Sequence, residues 1–137
     1  MKNIVLFFIG IVAIMACSND RDSLNDIISK MNKNMPKQEK NWTVDSMGVS
    51  NKGEIVYYCN TDKNASYFNL LKNKKDSITD ALIAKLNDGD LEKSMELVKL
   101  CKKYDAGIVY KYSSNNTNEK LIIKIPLEKL IVDPRIE

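Results

Sequence analysis

The 137 residues are enough for one domain, and the composition is that of an ordinary folded protein: 44% hydrophobic and 28% charged, with five Gly and three Pro. Lys and Arg number 21 against 18 Asp and Glu, a net charge of +3, too slight an excess to make a nucleic-acid-binding stripe. Histidine is absent, which excludes Ser-His-Asp and Cys-His catalysis and removes the commonest metal ligand.

The chain opens on Met1-Lys2-Asn3, runs from Ile4 to Met15 without a charge, and reaches Ala16-Cys17. A basic start, an apolar stretch and a small residue at a cut are the three parts of a secretory signal. The apolar stretch is short of the roughly 20 residues that a membrane-spanning helix needs. Ile14-Met15-Ala16-Cys17 resembles the lipobox of bacterial lipoproteins: aliphatic, permissive, small, then cysteine, with Met15 a slight departure from the preferred choices. The resemblance covers residues 1–22. It implies removal of residues 1–16 as a leader, diacylglycerol on the Cys17 thiol, acylation of the new amino terminus, and residues 17–22 as a lipidated tether. Anchoring by several acyl chains is stable, because each buried CH₂ contributes about 0.8 kcal/mol.

Ser18, in the sorting scheme of such lipoproteins, points to the outer membrane, since Asp at that place signals retention in the inner one. Ser18-Asn19-Asp20-Arg21-Asp22 resembles the acidic surface-export signal of Bacteroidetes lipoproteins, with Arg21 interrupting the acidic run. The same group O-glycosylates Asp-Ser or Asp-Thr followed by an aliphatic residue. Asp22-Ser23-Leu24, Asp45-Ser46-Met47 and Asp76-Ser77-Ile78 resemble such acceptors at Ser23, Ser46 and Ser77. Helix capping accounts equally for Ser23 and Ser77.

Residues 23–137 read as a single small α+β domain. Leu24, Ile27, Ile28 and Met31 recur at helical spacing, predicting a helix from about Ser23 to Asn34 that Pro36 stops. Residues 42–50 and 54–61 read as strands joined at Asn51-Lys52-Gly53. A short helix follows over 65–71. Ser77, with Asp80 three residues on, resembles a capping box ahead of Ile78, Ala81, Leu82 and Leu86. Asp88-Gly89 stops that helix, and Asp90 caps another running to about Tyr104. Gly107–Tyr112 and Lys120–Ile125 are predicted strands around a polar loop, and Leu127–Val132 a short closing element. Two hairpins predict one antiparallel sheet of about four strands, with three to four helices on one face.

Cys59 and Cys101 remain once Cys17 is lipidated. In an oxidising compartment they form the one available disulfide, worth roughly 4 kcal/mol in the chain-entropy model, or stand as two buried thiols. Asn87-Asp88-Gly89-Asp90 fails the calcium-loop spacing, and a helix stop followed by a cap explains it. The Ser-x-x-Lys arrangement is absent, and neither thiol has the base a nucleophile needs. No catalytic residue, metal site or cofactor is assigned. Strand alternation leaves Val56, Tyr58, Val109, Lys111, Ile122 and Lys124 on an outer sheet face, apolar enough to suggest a partner surface.

The sequence therefore predicts a non-enzymatic cell-envelope lipoprotein, held to a membrane by lipid and binding an envelope protein, an incoming toxin or a glycan through its sheet. A hydrolase using unidentified carboxylates and a purely structural lipoprotein remain the alternatives.

Overall fold

The computed structural model describes residues 22–88 and 92–131. Their order is α1 (22–32), β1 (Lys37–Gln38), β2 (Thr43–Val49), β3 (Ile55–Asn60), α2 (Ala65–Asn73), α3 (Lys75–Asp88), α4 (Glu92–Tyr104), β4 (Ile108–Ser114), β5 (Thr117–Ile125) and a 3-10 turn over Leu127–Lys129. The class is α+β, as read from the sequence.

The sheet differs from expectation in count and direction. It has five strands in the order β1-β2-β3-β4-β5 and is mixed: β3 and β4 run parallel, while the other neighbours are antiparallel. Both predicted hairpins form, β2–β3 and β4–β5. What joins them is a crossover through α2, α3 and α4, which returns the chain so that β4 starts beside the start of β3. Side-chain alternation is the same for either strand direction, so hydrophobic pattern alone cannot reveal this. The two-residue β1 is too short to show any period.

The β2–β3 turn forms where Asn51-Lys52-Gly53 places it. Gly53 has φ 79°, the left-handed conformation that glycine adopts without Cβ strain, and its N–H donates to the Ser50 carbonyl at 2.9 Å. In β2 the alternation is interrupted by a bulge between Val44 and Ser46. Val44 and Met47 both turn inward, and Asp45 and Ser46 both point out.

The second hairpin is longer than predicted. β4 continues to Ser114 and β5 begins at Thr117, which leaves Asn115-Asn116 as the turn. The polar run that reads as a loop is held by the Asp62 carboxylate, which accepts the Asn115 backbone N–H and side-chain amide, each at 2.8 Å.

Two expected caps are corrected. Helix α3 begins at Lys75, not at Ser77, because Lys74 serves both helices at once. Its N–H donates to the Leu70 carbonyl at 2.9 Å, and its carbonyl accepts the Ile78 N–H at 3.0 Å. Ser77 thus lies inside the first turn. Helix α1 already covers residue 22, so Ser23 is also within a helix. Gly89, Asp90 and Val132 lie outside the described residues.

All four described helices bury their apolar stripes against one side of the sheet. Ile27 and Met31 of α1, Leu71 of α2, Leu86 of α3 and Leu97 of α4 share a single cluster with Ile55, Tyr57, Cys59, Tyr110, Tyr112 and Ile123. Each fully buried side chain of this size contributes about 1.5–3 kcal/mol. With the helices gathered on one side, the opposite side of the sheet is left uncovered by any of them.

Candidate functional site

The strand registers lay out the uncovered face as rows. In one row Ser46, Tyr58, Lys111 and Ile122 are successive cross-strand partners over β2, β3, β4 and β5. In the row beside it Gly48, Val56, Val109 and Lys124 are partners in the same way. All six residues read from the sequence as outward-facing do share this face.

They are not equally available. Tyr58 is 41% exposed and Ile122 45%, whereas Val56 and Val109 are 1% and 3% exposed. The expectation that these two valines offer contact surface is therefore corrected. They form a small buried pair apart from the main core. Gly48 helps close it: a Cβ there would sit 3.3 Å from Cε2 of Tyr58, so the tyrosine ring lies over the bare backbone of the next row.

Around Tyr58, Lys111 and Ile122 the face sinks into a depression of about 280 Å³, to which Asp45, Ser113 and Lys120 also contribute. The Lys111 ammonium stands 6.0 Å from the centroid of the Tyr58 ring, a cation–π distance worth about 0.5–1 kcal/mol at an exposed site. Asp45 accepts a hydrogen bond from the Asn60 side-chain amide at 2.7 Å, and the Ser113 hydroxyl donates to the Cys59 carbonyl at 3.3 Å. Asp45, Ser113 and Lys120 were not singled out by the sequence reading. The first sits at the bulge, which places two successive residues, Asp45 and Ser46, on the outer side.

Chemically the depression offers an aromatic face, an exposed branched aliphatic chain and two ammonium groups, which suits binding. Asp45 is the single carboxylate among its lining residues, whereas glycoside hydrolysis uses two. Among the described residues no group of three or more His, Cys, Asp or Glu side chains is placed to hold a metal ion, and no helix is long and apolar enough to cross a membrane.

On the helix-packed side lies a buried aromatic cluster. Tyr57 and Tyr110 are register partners with rings stacked 4.4 Å apart, and Trp42 meets Tyr112 edge-on at 5.3 Å. Cys59 and Cys101 are both buried in the same cluster, each as a free cysteine. Burial pushes the Cys101 thiol up to about 12 and raises Cys59 further, so neither is a thiolate near neutral pH.

Ser46 and Ser77 are exposed and Ser23 is half-buried. Ile14, Met15, Ala16 and Cys17 lie outside the described residues.

No family model matches the chain, and no curated protein matches it. Two solved structures share its fold. One is a protein from Pseudomonas aeruginosa described as secreted, with TM-score 0.63 and 12% identity over 81% of this chain and 92% of that one. The other is the pilotin EpsS of the Vibrio vulnificus type 2 secretion system, with TM-score 0.55 and 5% identity over 83% and 94% of the two chains. At these identities the likeness is one of fold.

Proposed function

We propose that this chain is a non-enzymatic binding protein of the bacterial cell envelope, anchored by lipid on Cys17 and engaging a partner protein through the uncovered sheet face. The observation that carries the binding role is the row Tyr58–Lys111–Ile122. Two large apolar side chains stand exposed on either side of a lysine, at the rim of a depression, on the one sheet face that no described helix covers. An apolar patch rimmed by charged side chains is the usual mark of an interaction site. That a secreted protein and a secretion-system pilotin share the fold supports placing it in the envelope.

The anchor rests on the lipobox resemblance, and Ser18 favours the outer membrane. From Cys17 to Asp22 is five residue steps, at most about 18 Å of extended chain, so the domain would work close to the bilayer surface. Exposed Ser46 and Ser77 are the more accessible of the three proposed glycan acceptors.

The test is in two parts. Intact mass of the membrane-extracted protein should equal residues 17–137 plus acyl chains, and Cys17→Ala should move the protein out of the membrane fraction. An unmodified Cys17 in a soluble protein overturns the anchor. For the binding face, Ile122→Ser, at a position 45% exposed, should keep the wild-type melting temperature yet weaken cross-linking to the envelope partner. A glycan array that saturates on the wild-type face instead would replace the protein partner with a sugar.

A further inference from the structure

We infer that the free edge of β5 accepts an extended acidic segment of a partner protein as a sixth strand. This rests on the binding role of the sheet face and names what that face would receive.

The two edges of the sheet are treated differently. On β2, the outer side is occupied by β1 at Thr43 and Val44, and further along by the Asn32 side chain at Met47. On the other edge, β5 is a nine-residue strand paired with β4 alone, and no strand or side chain among the described residues bonds along its outer side. A row of unpaired backbone donors and acceptors is a template for an added strand.

The side chains along that edge say what kind of strand fits. Lys120, Ile122 and Lys124 alternate on the uncovered face, with Leu121 and Ile123 turned to the core side. A second copy of the chain is a poor occupant. An antiparallel pairing that brought the two exposed Ile122 side chains together would set Lys120 opposite Lys124 on both sides, and like charges directly opposed are destabilising. The complement is a strand with carboxylates two residues either side of an apolar residue, and apolar residues between them, one of which would cover the half-buried Leu121. Lys111, beside Ile122 on β4, adds a third ammonium, while Asp45, the carboxylate of the depression, lies across the sheet on β2.

The probe is a nine-residue peptide with glutamates flanking a central isoleucine at two residues' distance and valines between. Its control carries lysines in place of the glutamates. Both are titrated into the full chain, purified in detergent, with amide hydrogen exchange as the readout. In the free protein, alternate amides of β5 should exchange fast, as on an edge strand. The acidic probe should slow them, and the control should not. Lys120→Glu with Lys124→Glu should weaken the acidic probe about tenfold and admit the basic one. Both substitutions are at exposed positions, and retention of the melting temperature shows that the fold is intact.

Shifts at Tyr58 and Lys111 without protection of β5 amides would overturn strand addition while leaving the face as a binding surface. No response at either place would overturn both. Self-association of the chain through protected β5 amides would replace the acidic partner with a second copy.

Discussion

The side-chain amide of Asn32 is hydrogen-bonded to both backbone polar groups of Met47: its nitrogen donates to the carbonyl at 3.0 Å, and its oxygen accepts the N–H at 2.8 Å. The last residue of α1 thereby imitates a neighbouring strand on the stretch of β2 that β1 does not reach. It satisfies two backbone groups that would otherwise be left unpaired, and it fixes the helix against the sheet. Asn32→Ala should cost about 2 kcal/mol in urea unfolding, since each net hydrogen bond contributes about 0.5–1.5 kcal/mol and part-buried groups are left unmet. Asn32→Asp should be no better at pH 7, where a carboxylate cannot donate to the Met47 carbonyl, and should recover part of the loss in acid as it protonates. Equal stability of all three proteins would show that the contact contributes nothing.

A second prediction lies at the end of α4. The Ala106 N–H donates to the Cys101 carbonyl at 2.9 Å, and between them Asp105 has φ 53°. This is a Schellman ending with a side-chain-bearing residue at the left-handed position that glycine usually fills. Asp105→Gly should therefore stabilise the protein by about 0.5–1 kcal/mol, the relief of Cβ strain exceeding the added entropy of the unfolded chain. A lower urea midpoint for the variant would sink this account.

These two contacts illustrate what was legible in the sequence. Leu24, Ile27, Ile28 and Met31 announced α1 by spacing, and every one of them is buried. Asn51-Lys52-Gly53 announced its hairpin by turn chemistry. Asn32, by contrast, reads in sequence as an ordinary polar residue near a helix end, because its role depends on a strand fifteen residues away. The direction of β4 was hidden for a similar reason, being decided by how three helices cross the sheet. On the uncovered sheet face, strand parity identifies the outward residues. It could not show that Val56 and Val109 are sealed, because that depends on their row neighbours across the sheet, with Gly48 bare beneath the Tyr58 ring.

Glu39 supplies a pH-dependent prediction. Burial tends to raise its carboxyl, but the Lys85 ammonium bonded to it and Lys37 at 3.3 Å outweigh that and hold it below its ordinary 4.5. A carboxyl lowered in the folded state adds stability that is present above its unfolded value and is lost as pH falls through the folded one. Glu39→Gln should accordingly cost about 1 kcal/mol at pH 7 and progressively less below pH 4.5. Unfolding midpoints for the two proteins that stay equally far apart down to pH 3 would show that the pair does not act through charge.

At the alkaline end the buried cluster sets the limit. Burial raises the phenols of Tyr57, Tyr110 and Tyr112 above their ordinary 10 and the thiols of Cys59 and Cys101 above their ordinary 9. These groups are neutral in the folded core, and the unfolded chain can ionise them sooner. Their contribution to stability is fully present below about pH 9, where neither state ionises. It declines as pH rises past the unfolded values, by about 1.4 kcal/mol per pH unit for each group once ionised in the unfolded chain alone. The protein should unfold cooperatively between pH 9 and 12, with tyrosinate absorbance rising together with loss of helical circular dichroism. Near pH 8 the two thiols should resist alkylation until denaturant is added, then react together without reductant. Tyrosinate forming while the helices persist would place the phenols in contact with solvent. Thiols that react only after reduction would mean that Cys59 and Cys101 are joined.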